Sequence, residues 1–314
     1  MSQLKIVSYT QDYLEEVLEC WNETLCYDVI SKERFLDFVL LDDNFDARLL
    51  KLALVDNRCV GFVYGVRRCV PYLERGLEPT RGWIVAMGVL EDYQRQNIGA
   101  KLLDSLEVDF KQLGIQNITI GAYSPNYFFP GIDLRYEKAV RFFEKNNYPL
   151  GGLAVSMQRD LLDYMLPLTT REKLESLHSE GIRIIPYETK YLEKTLDFLL
   201  SEFGAGWKRN AFMAMQKGEA EKTILLCVNK QDEIIGFCMR KIDGLDCRFG
   251  PIGVKETLRS KGLGGVLLDV MMLEMKKKGL YYLYFLWTSG DAIRFYERHG
   301  FRTYRTYHLS RKEI

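Results

Sequence analysis

The sequence predicts two α+β units in tandem, each with a sheet of short strands and accompanying amphipathic helices. Three observations support this prediction. The chain has 314 residues, about twice the length of a typical domain. Four blocks of sequence recur in the same order in the two halves, as an internal duplication requires. Within each half, apolar residues alternate between the period of a strand and the period of a helix in the same succession.

The repeated blocks define the domain boundaries. The segment IVSYTQDYLEEVLECW from Ile6 matches IIPYETKYLEKTLDFL from Ile184. The other pairs are CVGFVYGVRR with IIGFCMRKID, VLEDYQRQNIGAKLLD with VKETLRSKGLGGVLLD, and KAVRFFEKNNY with DAIRFYERHGF. Apolar strand character gives way to a polar helical stretch in LLDYMLPLTTREKLESLHSEG. We therefore predict one domain over 1–162, a linker over 163–181 and a second domain over 182–314.

The second half gives the order of elements most clearly. GIRIIPY reads as a strand, and YLEKTLDFLLSEFG as a helix that ends at Gly204. WKRNAFMAMQKGEA is a second helix, and TILLCVNKQDEIIGFCMRKI contains two strands around a polar turn. DCRFGPIGV is a strand interrupted by Gly250, Pro251 and Gly253. The first half repeats this order, with RLLKLALVDNRCVGFVYGVRR as its hairpin and RGWIVAMGVL as the strand before its helix.

The remaining elements follow the interrupted strand. RSKGLGGVLLDVMMLEMKKKG is a helix that begins with glycines and ends at Gly279. LYYLYFLWT is a buried strand, DAIRFYERHG a helix, and FRTYRTYHLS a final strand. In the glycine-led helices of both halves the apolar residues lie on one face, which predicts that this face packs in the core.

Composition excludes several classes of function. Lys plus Arg and Asp plus Glu both total 43, so a nucleic-acid or anionic-membrane surface is not expected to be the main partner. The N-terminus lacks a signal-peptide apolar core and no segment has the apolar length of a membrane span, which predicts a cytoplasmic protein. Seven cysteines without a C-x-x-C pair and three scattered histidines predict reduced thiols and no metal site. A monomer and a homodimer are both compatible with the sequence.

The glycines at the start of the second glycine-led helix carry the main functional signal. Gly262, Gly264 and Gly265 fall where the first-turn N–H groups have no partner inside the helix and where the helix dipole is positive. Such a site accepts an anion such as a diphosphate, with charge from Arg259 and Lys261. A tight turn that needs glycine only for positive φ is an equally good explanation. The spacing matches neither a G-x-x-x-x-G-K-[ST] loop nor a dinucleotide fingerprint.

The combination of motifs resembles the GCN5-related N-acetyltransferase (GNAT) family. GPIGVKETLRSKGLGGVLL contains the Q/R-x-x-G-x-G/A loop after a bulged strand, and DAIRFYERHGF contains the later A-x-x-F-Y-x-x-x-G-F helix. The first half resembles the family through QRQNIG and KAVRFFEKNNY. The resemblance covers nearly the whole chain. It implies a mixed, mostly antiparallel sheet flanked by helices in each unit, which separates between its fourth and fifth strands to admit acetyl-CoA.

The resemblance also implies the residues that bind coenzyme A. The bulged strand pairs with the pantetheine amides and the loop N–H groups hold the pyrophosphate. In the second half the residues implied are Ile252, Gly253, Val254, Arg259, Ser260, Lys261, Gly262, Gly264, Gly265 and Ser289. In the first half they are Val89, Gln94, Arg95, Gln96, Asn97, Gly99 and Ala100. Ser289 departs from the asparagine that many relatives carry there, which puts that contact in doubt.

Acetyl transfer needs an acid for the departing thiolate and a base for the amine. Tyr296 matches the family tyrosine near the coenzyme sulfur, and packing of its ring under the sheet is the alternative. Asp246, placed at the start of the fourth strand, is the candidate base, although solvated aspartates at strand ends are common. The N–H groups around Ile252 and Gly253 are suited to stabilising charge on the carbonyl oxygen.

The two halves differ at these positions. In the first half Asn97 stands where the second has Gly262, and Phe143 where the second has Tyr296. Asparagine tolerates positive φ, but a phenyl ring cannot donate a proton. The second half is therefore the predicted catalytic unit. The insertion AYSPNYFFPGIDLRY, 122–136, either shapes a substrate pocket in the first unit or packs as a loop between domains.

We consider three functions, of which two are compatible with these features. The first is an acetyltransferase that acts on a primary amine of a small molecule or peptide. The second is a non-catalytic acyl-CoA-binding sensor or scaffold. The third is an aminoacyl or peptidyl transferase of doubled fold, and it is disfavoured because the sequence lacks the long helical arm and the basic RNA-facing surface expected of such an enzyme. The sequence does not identify the acceptor.

Overall fold

A computed structural model describes residues 3–259 and 261–314 of the chain. The helices are α1 (Leu14–Thr24), α2 (Lys32–Phe35), α3 (Ile98–Gln112), α4 (Glu137–Lys145), α5 (Leu168–Ser179), α6 (Leu192–Phe203), α7 (Ala205–Gln216), α8 (Ala220–Thr223), α9 (Leu263–Lys277) and α10 (Asp291–Arg298). A π-helical segment, Leu36–Leu40, follows α2 directly.

The strands follow the predicted order in both halves of the chain. They are β1 (Leu4–Ser8), β2 (Leu50–Val55), β3 (Arg58–Arg67), β4 (Arg81–Val89), β5 (Asn117–Ile120), β6 (Ile132–Asp133), β7 (Leu153–Asp160), β8 (Arg183–Pro186), β9 (Ile224–Val228), β10 (Ile234–Arg240), β11 (Phe249–Val254), β12 (Tyr282–Thr288), β13 (Arg302–His308) and β14 (Ser310–Glu313). Short 3₁₀ turns lie at Gln11–Tyr13, Ala47–Leu49, Leu73–Arg75, Glu91–Tyr93, Thr189–Tyr191 and Glu256–Leu258.

The chain forms two compact units. The first contains the residues up to Ala154 together with Arg305–Ile314, and the second contains Val155–Tyr304. The predicted boundaries, 1–162 and 182–314, follow the sequence repeat. In the structure, the last strand of each half belongs mainly to the other unit. Most of β7 belongs to the second unit, and β14 belongs to the first. The predicted linker, 163–181, contains α5 within the second unit.

The first unit is built on a sheet of order β1-β2-β3-β4-β5-β14. Its strands are antiparallel neighbours except for β4 and β5, which are parallel. The pairing of β4 with β5 runs only from Arg81 to Ile84, so the rest of β4, up to Val89, is not paired with β5. The register between β3 and β4 shifts after Tyr64, which places a bulge in β4 at Val85.

The second unit repeats this arrangement. Its β11-β10-β9-β8 sheet is antiparallel, and β12 pairs with β7. A single parallel bridge, between Arg248 and Tyr284, joins the start of β11 to β12. The register between β10 and β11 shifts between Cys238 and Arg240, so the bulge falls at Gly250 and Pro251. The predicted mixed sheet that separates between its fourth and fifth strands is thus present in each unit.

The glycine-led helices cover one face of these sheets. In α3 the fully buried residues are Leu102, Leu103, Leu106 and Phe110, which lie on the predicted apolar face and pack with the sheet. In α9 Leu263, Val266 and Leu267 of the predicted face are buried, whereas Val270 and Leu273 are only partly buried. The methionines Met271, Met272 and Met275 are buried in α9 as well. Within the described part of the chain, no helix has the length and apolarity needed to cross a membrane.

Candidate functional site

The start of α9 presents first-turn amides that have no partner inside the helix, beside the open end of β11. Gly262 is the N-cap of α9 and has φ of +81°, a conformation that residues with a side chain rarely adopt. The first intrahelical bond of this turn runs from Val266 N to Gly262 O at 3.2 Å. The amides of Leu263, Gly264 and Gly265 precede it and therefore have no partner inside the helix. This turn can hold an anion.

The three glycines of this turn have three different roles. Gly262 is needed for its positive φ. A Cβ atom on Gly264 would meet only Val254 Cγ2, at 3.6 Å, among the described residues, so packing does not require glycine there. A Cβ atom on Gly265 would lie 2.8 Å from the imidazole of His299. Gly265, predicted to bind the cofactor through its exposed backbone, thus also makes room for α10.

His299 is fixed by a buried carboxylate. Its Nδ1 atom lies 3.0 Å from Asp269 Oδ1, and Asp269 is 3% exposed. The other oxygen of Asp269 accepts a hydrogen bond from Thr170 Oγ1 at 2.6 Å. This network holds the end of α10 against the second turn of α9. It explains why α9 carries glycine at position 265, a reason that the local sequence did not reveal.

The loop before α9 folds back onto β11. Arg259 Nε donates to the Val254 carbonyl oxygen at 3.4 Å, and Arg259 Nη1 lies 3.9 Å from Glu256 Oε1. Arg259 and Lys261 are both exposed, so they place positive charge beside the unpaired amides. Ser260, also predicted to bind the cofactor, lies outside the described residues.

The first unit has the same turn with different residues. Asn97 is the N-cap of α3 with φ of +63°, so asparagine adopts the conformation for which the second unit uses glycine. Gln94 Nε2 donates to the Val89 carbonyl at 3.0 Å, which is the contact that Arg259 makes in the second unit. Gln96 Nε2 binds the Asp92 carbonyl at 2.9 Å. The turn therefore survives the loss of its middle glycine, as its sequence predicts.

The remaining predicted residues of the first turn fit the same geometry. Arg95 has φ of +61° and is exposed. Gly99 is tightly packed, because a Cβ atom there would lie 3.1 Å from Phe142 Cε2. Ala100 takes the place of Gly265. It is tolerated because Asn146, at the position of His299, turns its amide back to the Phe142 carbonyl at 2.7 Å.

Tyr296 lies in α10 against an aromatic cluster of the second unit. Its ring centroid is 4.4 Å from that of Phe285 and 5.3 Å from that of Phe301. Burial raises the pKa of Tyr296, the Cys238 thiol raises it further, and Arg248 opposes both. The hydroxyl is therefore neutral at physiological pH. Phe143 occupies the equivalent position of the first unit, packed on Tyr148 at 5.4 Å, and has no hydroxyl.

Asp246 and Ser289 are less closely integrated into the site. Asp246 was placed at the start of the fourth strand, but it lies in the loop before β11, which begins at Phe249. Its side chain is 56% exposed, and Oδ1 accepts a hydrogen bond from Arg240 Nη1 at 2.9 Å. Ser289 follows the end of β12 and is exposed.

The other face of β11 is covered by aromatic rings that the sequence did not single out. A Cβ atom on Gly253 would overlap the ring of Phe203 and would lie 2.9 Å from Trp207 Cζ3. These two rings stack, with centroids 4.2 Å apart and planes at 16°. In the first unit the equivalent Gly88 meets Thr24 instead. Glycine at both positions lets the preceding helix approach the bulged strand closely.

Comparison with protein-family models identifies the family to which a chain with this site belongs. Residues 8–128 match the acetyltransferase (GNAT) family model, and residues 221–303 match an acetyltransferase (GNAT) domain model. The chain belongs to the GNAT family. A search of curated protein sequences finds no significant match.

Solved structures share the tandem GNAT fold over the whole chain. The GCN5-related glucosamine N-acetyltransferase region of a fungal multi-domain GH3 beta-N-acetylglucosaminidase has a TM-score of 0.80 at 20% identity. The alignment covers 99% of this chain but only 38% of the fungal one. A GCN5-related N-acetyltransferase from Sphaerobacter thermophilus has a TM-score of 0.72 at 16% identity, with 99% and 95% of the two chains covered.

A third relative is itself a tandem GNAT protein. It comes from the clavulanic acid biosynthesis pathway and aligns with a TM-score of 0.64 at 11% identity, over 99% of this chain and 98% of that one. At such identities the likeness concerns the fold. The acceptor and the active unit of this GNAT protein have to be argued from its own residues.

Proposed function

We propose that the second unit transfers the acetyl group of acetyl-CoA directly to a primary amine of a small molecule or peptide. The observation that carries this proposal is the presence, in one unit, of an opening between β11 and β12, an unpaired first turn of α9 and the neutral hydroxyl of Tyr296. The first unit has the opening and the turn, but Phe143 replaces the tyrosine. We therefore assign it weaker coenzyme A binding or a structural role.

The residues of α9 and β11 fit a coenzyme A thioester. The amides of Leu263, Gly264 and Gly265 would hold the diphosphate, and Arg259 and Lys261 would add positive charge. Main-chain groups of Ile252, Gly253 and Val254 would pair with the pantetheine amides. Gly264 supports this assignment because, among the described residues, no close packing contact explains its missing side chain.

The proposed reaction forms a C–N bond and breaks the thioester C–S bond. Tyr296 donates its proton to the departing thiolate, and its raised pKa keeps the hydroxyl protonated at neutral pH. The N–H groups around Ile252 stabilise the negative charge that develops on the carbonyl oxygen. Pro251, in the bulge itself, has no N–H and cannot contribute. The proton of the attacking amine leaves to water and then to a base.

Asp246 is the proposed base, and it accepts the proton of the amine indirectly, through solvent. Its carboxylate is exposed and already accepts a hydrogen bond from Arg240, so it is not held against a reacting atom. A base in direct contact contributes about 100-fold to 10,000-fold in rate. We expect Asp246→Asn to lower turnover by less than this range, which steady-state measurement would check.

The proposed activity is tested by release of free thiol from acetyl-CoA in the presence of an amine panel. The panel should contain amino sugars, polyamines, amino acids and short peptides with free N-termini. Glucosamine belongs in it because a fungal region of the same fold is named a glucosamine N-acetyltransferase. Acceptor-dependent thiol release supports the proposal. Tight coenzyme A binding without release for any acceptor would instead favour a sensor or scaffold.

Variants at two glycines test the diphosphate site. Gly264→Ala should leave the thermal midpoint unchanged or higher, since among the described residues its Cβ atom meets only Val254, at 3.6 Å. It should bind coenzyme A as the unmodified protein does, because the Q/R-x-x-G-x-G/A loop accepts alanine at this position. Gly264→Val should weaken coenzyme A binding about tenfold, at a cost of about 1.4 kcal/mol, because a branched side chain separates the diphosphate from the amides. Calorimetric titration and a thermal melt measure the two effects.

The variant at the other glycine, Gly265→Ala, is the control. Its methyl group would lie 2.8 Å from the His299 ring, so this variant should lower the thermal midpoint. Equal coenzyme A affinity in Gly264→Val and the unmodified protein would contradict the proposed site.

A further inference from the structure

We propose that the first unit binds a small molecule through a carboxylate group. The site is a buried set of hydrogen-bond donors, which we call the donor cluster: Tyr64, Arg68 and Trp83. It lies in the unit that lacks the catalytic tyrosine. The proposal therefore does not depend on the proposed activity of the second unit.

Each residue of the donor cluster has a buried polar atom without a partner. The atoms are Tyr64 OH, Arg68 Nη2 and Trp83 Nε1, and none has a hydrogen bond to any residue that the structure describes. The three residues are 1%, 4% and 1% exposed. Buried polar groups in proteins are nearly always hydrogen-bonded, because an unsatisfied donor is costly. Three such donors in one region indicate that a bound group completes them.

The fold brings the donor cluster together on one face of the sheet. Val66 of β3 pairs with Trp83 of β4, and Tyr64 and Arg68 lie two positions either side of Val66, so they share its face. The Arg68 guanidinium is 4.8 Å from the centroid of the Trp83 ring and 5.5 Å from that of Tyr123. The rings of Trp83 and Tyr123 are themselves 5.5 Å apart.

The acceptors around the donor cluster are already in use. Asp42 accepts hydrogen bonds from the Tyr123 hydroxyl at 2.9 Å and from Asn126 Nδ2 at 2.7 Å. Glu78 accepts from Arg68 Nε and from Arg81 Nη1, both at 2.9 Å. The site therefore has an excess of donors, and a ligand must supply oxygen acceptors.

The charges at the Arg68 end favour a carboxylate. Arg68 and Arg81 share the single carboxylate of Glu78, which leaves one positive charge in excess there. Asp42 lies at the other end of the donor cluster, where burial and the charge of Asp42 raise the pKa of the Tyr64 and Tyr123 hydroxyls and where it is bonded to its own donors. A planar monoanion matches the free edge of a guanidinium. A phosphate dianion would bring a second charge among the rings of Tyr72, Trp83 and Tyr123, which the single excess positive charge of Arg68, Arg81 and Glu78 would not offset.

The insertion at 122–136 closes this site. The carbonyl oxygen of Ser124 accepts from Arg68 Nη1 at 2.9 Å, and Tyr123 and Asn126 both bind Asp42. Asn44, from the segment before β2, donates to the Tyr123 hydroxyl at 2.8 Å. These contacts favour the interpretation that the insertion shapes a pocket of the first unit.

The experiment measures binding to the full chain without acetyl-CoA. The probes are acetate, phenylacetate and L-alanine, each with the corresponding carboxamide, which lacks the carboxylate, as a matched control, and inorganic phosphate. We expect at least one carboxylate to raise the thermal midpoint and to bind at least tenfold more tightly than its amide. We expect phosphate to bind more weakly than that carboxylate.

Two variants assign the binding to the donor cluster. Tyr64→Phe removes one unpaired donor and keeps the ring, so the unliganded variant should retain its thermal midpoint. Trp83→Phe also removes an unpaired donor, but it leaves a cavity in the core and should lower the midpoint. Each should weaken the carboxylate at least fivefold. Tyr123→Phe is the contrast to Tyr64→Phe, since its hydroxyl is bonded to Asp42 and Asn44, and it should lower the midpoint.

Several results would overturn the proposal: no probe carboxylate binds, phosphate binds equally well, or both variants bind the carboxylate as the unmodified protein does. If carboxylates bind as proposed, a thiol-release assay distinguishes two sources of the ligand. Acetylation of L-alanine identifies the ligand as an acceptor. A change in the rate with another amine, without consumption of the carboxylate, identifies it as an effector.

Discussion

Tyr296→Phe is expected to lower kcat for acetyl transfer about 100-fold, with little change in the KM for acetyl-CoA. The substitution removes the proposed proton donor, and a positioned general acid contributes about 100-fold to 10,000-fold in rate. It keeps the ring that packs 4.4 Å from Phe285 and 5.3 Å from Phe301, so the fold of the second unit should persist. Steady-state kinetics with the best amine of the panel measure the effect.

The pH dependence of the unmodified protein provides a second test of the same residue. Because burial raises the pKa of Tyr296 above its ordinary value, the hydroxyl keeps its proton at neutral and moderately basic pH. Ionisation of Tyr296 should therefore cause no fall in kcat below a pH of about 10. A fall at lower pH that disappears in Tyr296→Phe would contradict this prediction.

The matched control for Tyr296→Phe is Tyr281→Phe. Tyr281 belongs to the same unit, and its side chain is 53% exposed, so loss of its hydroxyl should change neither kcat nor KM. If Tyr296→Phe turns over acetyl-CoA as fast as the Tyr281 control, the acid is not Tyr296. The assignment of catalysis to the second unit would then lose its main support, because Phe143 is the principal difference between the two sites.

Local sequence was sufficient to predict most of the strands and helices, and the turn before α3 and before α9. Glycine and asparagine at equivalent positions signal a backbone with positive φ, and Gly262 and Asn97 both adopt it. The repeated blocks predicted two similar sheets because the order of strands and helices is a local property. The bulged strand and its separation from the fifth strand came from the family resemblance, and both units show them.

Features that depend on distant residues were not predictable in this way. Gly265 looks like Gly264 in the sequence, but its lack of a side chain is explained by His299, which reaches it only after α10 folds back. The donor cluster draws on β3, β4 and the segments that follow them, and no motif links these. The assignment of each last strand to the other unit was not predicted. The alternation of apolar and polar residues along a strand does not specify which sheet edge the strand joins.

The C-terminal segment is anchored in the first unit by a buried ion network, and its loss should have the largest effect on stability. Arg305 binds Asp28 through two hydrogen bonds, at 2.7 and 2.8 Å, and Asp133 through Nε at 2.6 Å. The side chains are 7%, 12% and 3% exposed. Arg305→Met should lower the free energy of unfolding by about 3–5 kcal/mol, because it leaves the largely buried carboxylate of Asp28 without its cation. Urea denaturation measures the change.

Two further variants separate the charge network from simple packing. Arg135 also binds Asp133, at 2.8 Å, but its side chain is 35% exposed, so Arg135→Met should cost only about 0–1 kcal/mol. Combining Asp28→Asn with Arg305→Met should recover part of the stability, because the carboxylate that most depends on Arg305 is then neutral. Asp133 retains Arg135 in that double variant. If Arg305→Met costs no more than Arg135→Met, or if the double variant is less stable than Arg305→Met, then β13 and β14 are held to the first unit by strand pairing and apolar contacts instead.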